Sequence, residues 1–169
     1  AVINEGTAFL VTNMLKDVIV RGTGRRALAL GRKDLAGKTG TTNNSFDSWF
    51  SGYNADLVTT VWAGFDQPQT LGRREYGGTV ALPIWIKFMG QALKNLPEHN
   101  IAQPSNVVSL RVDRETGRLA NNYSLDTYSE FFRSDSSQPE AQTTEGFDNG
   151  SGIPHYPTDN SPAPPIDLF

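Results

Sequence analysis

The sequence contains no cysteine. That excludes disulfides, thiolate metal sites and cysteine nucleophiles. Only two histidines occur, His99 and His155, far apart and each near proline in a polar stretch. They read as solvated loop residues, so neither a histidine metal site nor a Ser-His-Asp triad is expected, and no metal or other cofactor is implied. Positive charge is not in excess: 15 Lys and Arg stand against 18 Asp and Glu, a formal net charge of -3. That argues against a nucleic-acid partner, which needs clustered cations to displace counterions. No apolar run approaches the roughly 20 residues that cross a bilayer, and no signal-peptide pattern opens the chain. Any membrane anchor is therefore expected outside this sequence.

The 169 residues are 37% hydrophobic and 20% charged, which suits a folded domain with a true core. Residues Thr7 to Arg21 predict an amphipathic helix, with Leu10, Val11, Met14, Leu15, Val18 and Ile19 on one face, Thr7 as its cap and Gly22 and Gly24 as its stop. A basic connector follows from Arg21 to Lys33, whose arginines read as solvated charge. Three strand-like runs come next, Leu35 to Thr42, Asp47 to Tyr53 and Leu57 to Phe65. Asn and Asp at both junctions predict consecutive antiparallel hairpins. The third run is apolar on both faces, which predicts a strand covered on both sides. Trp49, Phe50, Tyr53 and Trp62 read mostly as core aromatics.

After a loop from Asp66 to Thr79, a second helix is expected to start near Pro83 and end before Pro97, with Leu82, Trp85, Ile86, Met89 and Leu93 on its apolar face. Asn106 to Asn121 predicts a hairpin with its turn at Asp113 to Gly117 and Leu119 in the returning strand. From Ser134 onward the composition is that of a tail or linker. The organisation expected is thus a domain portion over 1–96, an extension over 97–133 and a tail over 134–169.

The chemistry-bearing segment is Gly37-Lys38-Thr39-Gly40-Thr41-Thr42. A nucleotide-binding P-loop would need its first glycine at position 32, where Arg32 stands, and a helix after the lysine, where another strand is expected. The alternative is the Lys-Thr-Gly element of serine acyl-transfer enzymes. On a strand, side chains alternate, so Lys38 and Gly40 share one face and Thr39 and Thr41 the other. The lysine supplies a positive field for a carboxylate and for proton movement at a serine. Gly40 lets a substrate backbone lie against the strand edge, and the threonine hydroxyls are offered to a carboxylate.

Several further segments in order resemble the class A penicillin-binding proteins, the bifunctional cell-wall synthases of bacteria. They are RGTGRRA from Arg21, LAGKTGTT from Leu35, DSWFSGY from Asp47, VWAGFD from Val61 and RREYGGTVALPIW from Arg73. The likeness is unbroken over roughly positions 7 to 96 and weaker through 107 to 133. It implies an α+β fold, an antiparallel sheet flanked by helices, as part of a serine β-lactamase/transpeptidase-like domain. It implies D,D-transpeptidation of peptidoglycan stem peptides ending in D-Ala-D-Ala, inhibition by β-lactams, a neighbouring glycosyltransferase activity, and a place at the periplasmic face of the inner membrane. Carried over by position, Lys38 and Thr41 are implied to be catalytic, the Thr41 N–H being an oxyanion donor. Thr39, Gly40, Thr41 and Thr42 are implied to bind substrate.

The sequence departs from that family in one respect. No serine has Lys three positions later, and none has Asn two positions later. The nucleophile motif Ser-x-x-Lys and the second motif Ser-x-Asn are therefore expected on an amino-terminal half of the same domain, outside this chain. That half would be its partner, and without it a sheet face would be bare. A non-catalytic periplasmic module that binds peptidoglycan or a partner is the alternative.

Overall fold

The computed structural model describes residues 2–141. Most of the tail expected over 134–169, and His155 with it, lies outside the described residues. The architecture is α+β, as expected: two helices and two antiparallel sheets in the order α1 (Glu5–Val20), β1 (Ala36–Thr41), β2 (Ser48–Tyr53), β3 (Val58–Ala63), α2 (Ala81–Ala92), β4 (Val107–Asp113) and β5 (Thr127–Arg133).

Helix α1 begins earlier than the sequence reading placed it. Asn4, not Thr7, is the cap, its side-chain oxygen accepting the Gly6 N–H at 2.9 Å. The helix ends where the Arg21 and Gly22 N–H groups close back on Asp17 and Val18. Its buried residues are Gly6, Phe9, Thr12 and Ile19, whereas Val11 and Met14 are exposed. The expected apolar stripe is thus rotated. The helix carries apolar residues around much of its circumference, and among the described residues it is covered by β1, the 25–30 turn and β5.

Strands β1, β2 and β3 form one meander in that spatial order, so β1 and β3 are the sheet's edges. The register pairs Lys38 with Ser51 and Gly40 with Trp49, and in turn Ser51 with Thr60 and Trp49 with Trp62. One face therefore carries Lys38, Gly40, Trp49, Ser51, Thr60 and Trp62. The other carries Gly37, Thr39, Thr41, Ser48, Phe50, Gly52 and Val61, and α2 packs on it. Trp85 of α2 is the anchor. It is fully buried, meets the Phe50 ring edge-on at 4.9 Å, and donates its indole N–H to the Thr59 carbonyl at 3.1 Å. Gly52 makes that approach possible, since a Cβ there would lie 2.6 Å from the Trp85 ring. Leu82, Met89 and Leu93 complete the α2 side of the core, with Ile19, Ala27 and Leu35 opposite.

Two expectations fail here. β3 is not covered on both sides: Val58, Thr60 and Trp62 are exposed, and alternate residues are half-buried against α2. Of the four aromatics read as mostly core, Phe50 is buried, but Trp49 and Trp62 are 40% and 45% exposed. Alternation sends them to the face opposite α2. They touch each other at 6.1 Å, and the Trp62 indole donates to Asp47 at 2.9 Å.

The second sheet is a two-stranded ribbon. The turn at Asp113 forms as expected, with the Gly117 N–H on the Asp113 carbonyl at 2.9 Å. The expected return at Leu119 forms as a short hairpin, Leu119 bridging Val112 with the Asp113 N–H on the Arg118 carbonyl and the Ala120 N–H on the Arg111 carbonyl, both at 2.9 Å, while the long partner of β4 is β5. The β5 aromatics Tyr128, Phe131 and Phe132 supply the β-prone pattern that the stretch after Gly117 lacks. The ribbon is fixed to α1 by Phe131 edge-on to Phe9 at 5.1 Å and by the Arg133 guanidinium on the Thr7 hydroxyl at 3.1 Å.

Candidate active site

The motif segment occupies the edge strand β1, and its start is anchored by charge. Asp34, buried at 3% exposure, accepts two hydrogen bonds from Arg32 at 2.9 and 2.7 Å, one from the Asn54 amide at 3.0 Å and one from the His99 N–H at 3.3 Å. Burial pushes the Asp34 carboxyl up, but these donors and the Arg32 charge outweigh it and hold the group at about 2. Arg32 reaches on to the carbonyls of Leu96 and Pro97, and the His99 ring meets Asp56 at 2.9 Å. Arg32 and His99, both read from the sequence as solvated, are thus parts of a clamp between the head of β1 and the chain after α2. Only proximity in space reveals this, because the partners that join the two ends of the clamp lie 43 to 65 residues apart.

Along β1, Lys38 is exposed, its ammonium resting on the Thr39 carbonyl at 2.9 Å and the Thr39 hydroxyl at 3.3 Å. The Thr39 hydroxyl also meets that of Thr23 at 2.8 Å. Gly40 lies on the Lys38 face, close to Trp49, where a Cβ would stand 3.1 Å from the Trp49 Cβ. Thr41 accepts the Gly77 N–H at 3.0 Å, and Thr42 exchanges hydrogen bonds with Asp47 in the turn that follows. The five residues Lys38 to Thr42 are therefore contiguous on one exposed strand edge. Their side-chain polar atoms hydrogen-bond to near neighbours, Lys38 to Thr39, Thr39 to Thr23, Thr41 to Gly77 and Thr42 to Asp47.

The loop after β3 returns to the end of β1. Gly77 is pressed so closely on the motif strand that an added Cβ would lie 2.4 Å from the Trp49 carbonyl and 2.7 Å from that of Gly40. Arg26 donates to the Gly78 carbonyl at 3.3 Å, and Ser48 caps the Ala81 N–H at 3.2 Å. Thr23 and Gly77 are site neighbours that sequence reasoning did not single out. The Gly77-Gly78 doublet was the available signal, since paired glycines mark close backbone approach. Among the described residues no group of three His, Asp or Glu side chains is placed to hold a metal ion.

No family model matches the chain. Over 99% of its length it is 57% identical to penicillin-binding protein 1A of Pseudomonas aeruginosa, and over 107 residues it is 48% identical to penicillin-binding protein 1A of Neisseria gonorrhoeae. Its fold superposes on the crystal structure of penicillin-binding protein 1A from Haemophilus influenzae with a TM-score of 0.77 and 35% identity, covering 84% of this chain and 22% of that one. The sheet, its covering helix and the edge-strand motif thus define a portion of a penicillin-binding transpeptidase fold. The chain belongs to the class A penicillin-binding proteins, its relatives here being penicillin-binding protein 1A. It spans about a fifth of the length of the Pseudomonas relative.

Proposed function

We propose that this chain supplies the Lys-Thr-Gly strand of a serine D,D-transpeptidase site whose nucleophile stands on the amino-terminal half of the same domain. The observation that carries the reading is an edge strand presenting an exposed Lys38 beside the side-chain-free Gly40, with hydroxyls at Thr39, Thr41 and Thr42. An edge strand has unpaired N–H and C=O groups to which an extended peptide can add. The terminal carboxylate of a D-Ala-D-Ala peptide then lies against the Thr39 and Thr41 hydroxyls under the field of Lys38.

In the reaction proposed, a serine oxygen attacks the penultimate carbonyl carbon, and its proton passes to a neighbouring base. The Thr41 N–H stabilises the oxyanion. The C–N bond breaks, terminal D-alanine leaves with a proton, and an acyl ester remains. An amine of a neighbouring strand attacks the ester, the new amide forms, and the serine oxygen recovers its proton. A β-lactam enters the first step and stops at the ester.

The same reading divides the molecule into a transpeptidase portion over 1–96, an extension over 97–133 and a tail over 134–169. The separate β4–β5 ribbon supports the division between the first two. It places the whole protein at the periplasmic face of the inner membrane, with a glycosyltransferase and an anchor elsewhere. No described helix is long and apolar enough to cross a membrane.

The test is fluorescent penicillin labelling of the intact protein carrying this sequence, followed by proteolysis and mapping of the labelled peptide. The label is expected on a serine outside residues 1–169. Label on a serine of this chain would overturn the placement of the nucleophile. No label at all would favour the non-catalytic periplasmic module.

A further inference from the structure

Beyond the end of the motif strand the structure holds an open groove of about 570 Å³ that the proposed reaction does not use. One wall is Asn44, Ser45 and Phe46, directly after β1, and the other is the loop bearing Thr70, Gly72, Arg73 and Arg74. We propose that this groove is a subsite for a second carboxylate of the peptide substrate, upstream of the reacting terminus, and that Arg73 and Arg74 bind it. The proposal rests on the transpeptidase reading above.

The lining of the groove is basic, and Glu75 borders it, its Cγ 3.5 Å from where a Cβ on Gly72 would stand. Its lining includes two guanidinium side chains and no carboxylate. Neither Arg73 nor Arg74 makes an ion pair with any described residue. Of the ten arginines among the described residues, Arg21, Arg32, Arg114, Arg118 and Arg133 pair with an acid, and Arg73 and Arg74 share their lack of an ion pair with Arg25, Arg26 and Arg111. Guanidinium groups match carboxylates in planar, two-bond geometry, and two side by side recognise one strongly. Phe46, half-buried, adds an apolar surface for the intervening backbone or side chain. A volume of this size fits one or two residues of a peptide.

The groove is also held in a conformation that chains avoid. Asn44, Ser45 and Arg74 are three of the four non-glycine residues with positive φ among the described residues, at 58°, 54° and 67°. All three line this groove. Such strain persists only where surrounding bonds over-determine it, and it collects at ligand sites. Here the bonds are plain: Leu71 N–H to the Ser45 carbonyl at 2.8 Å, the Thr70 hydroxyl to the Asn44 carbonyl at 2.8 Å, and the Thr79 hydroxyl to the Arg74 carbonyl at 3.1 Å. They clamp the arginine loop to the turn after the motif strand. A peptide laid along the β1 edge with its terminus at Thr39 and Thr41 runs into this groove next.

The experiment compares two synthetic peptides ending in D-Ala-D-Ala, one with a free carboxylate two residues upstream and one with that carboxylate amidated. Both are assayed with the intact enzyme for release of terminal D-alanine. The wild type is expected to favour the carboxylate peptide by about tenfold in kcat/KM, the effect of one charge-assisted pair. That ratio should fall as salt rises. In Arg73→Ala/Arg74→Ala it should collapse toward one, and Arg73→Lys/Arg74→Lys should recover part of it. Because the readout is a ratio within one enzyme, a general loss of activity does not imitate the result. A wild-type ratio near one, or a preference that survives in the alanine variant, overturns the subsite. Failure of the wild type to release D-alanine from either peptide, with no penicillin labelling, overturns the transpeptidase reading itself.

Discussion

At the scale of single residues, Lys38 in β1 and Asp34 just before it have opposite duties. Lys38 is exposed and its ammonium hydrogen-bonds to Thr39, so its removal costs the fold little. Lys38→Ala is expected to leave the melting temperature within a degree or two, because exposed substitutions rarely exceed ~0.5 kcal/mol. Penicillin acylation by the intact protein should fall about 100-fold or more, the usual effect of losing one preorganised electrostatic group. An unchanged acylation rate would remove Lys38 from the site. Asp34 is the reverse case, buried, fully hydrogen-bonded and remote from chemistry. Its folded value near 2 lies below the ordinary 3.8, so its contribution is present above about pH 4 and is lost as pH falls toward 2. The depression corresponds to about 2 kcal/mol. Acid unfolding of wild type against Asp34→Asn should show it: the variant is less stable at pH 7 by about 2–3 kcal/mol, and the difference shrinks below pH 4. A difference that stays constant down to pH 2 would assign the effect to packing rather than charge.

At the scale of elements, the decisive contacts are backbone-close and made by glycine. Gly52 admits the Trp85 ring to the sheet, and Gly77 admits the return loop to the motif strand. The two should respond differently to an added methyl. Gly52→Ala meets a packed ring and should unfold α2 from the sheet at a cost of about 2–3 kcal/mol. Gly77→Ala meets carbonyl oxygens, so the loop must lift from the end of β1 and release the bond to the Thr41 hydroxyl. Its acylation rate should therefore fall by at least tenfold, with a smaller loss of thermal stability than Gly52→Ala. Measured side by side, an equal loss of stability with normal acylation would show that the loop does not position the strand. Element identity was largely legible beforehand. The Asn-rich junctions predicted the β1–β2–β3 meander, and the 3.6-residue apolar spacing predicted both helices. Boundaries and partners were less so. Thr7 and Asn4 are both capping residue types, so composition alone does not fix the first turn of α1. The turn before Leu119 predicts the short return that pairs with Val112, but not that the aromatic run at 127–133 is the longer partner of β4.

At the scale of the whole molecule, the chain leaves apolar surface bare in several places. Trp49 and Trp62 lie on the Lys38 face, Val11 and Met14 on α1, and Ile84 and Phe88 on α2. Paired tryptophans beside the motif lysine are the surface that we propose the nucleophile-bearing half of the domain covers. Hydroxyl-radical footprinting of the intact protein should find Trp49 and Trp62 protected relative to the exposed Tyr123. Oxidation of both at a rate comparable to Tyr123 would mean that nothing covers this face. The sequence by itself determined the α+β composition, the order of elements, the place of the Lys-Thr-Gly segment on a strand, and the lack of a Ser-x-x-Lys nucleophile. These depend on local periodicity, turn chemistry and residue identity, which are written in neighbouring positions. Only the tertiary structure decided which face of α1 is buried, that β3 is a bare edge, that Arg32 and His99 belong to the Asp34 clamp, and that Arg73 and Arg74 meet the end of the motif strand. Each of these joins residues far apart in the chain, and burial or pairing at that range follows from which surfaces meet, not from the pattern along any one of them.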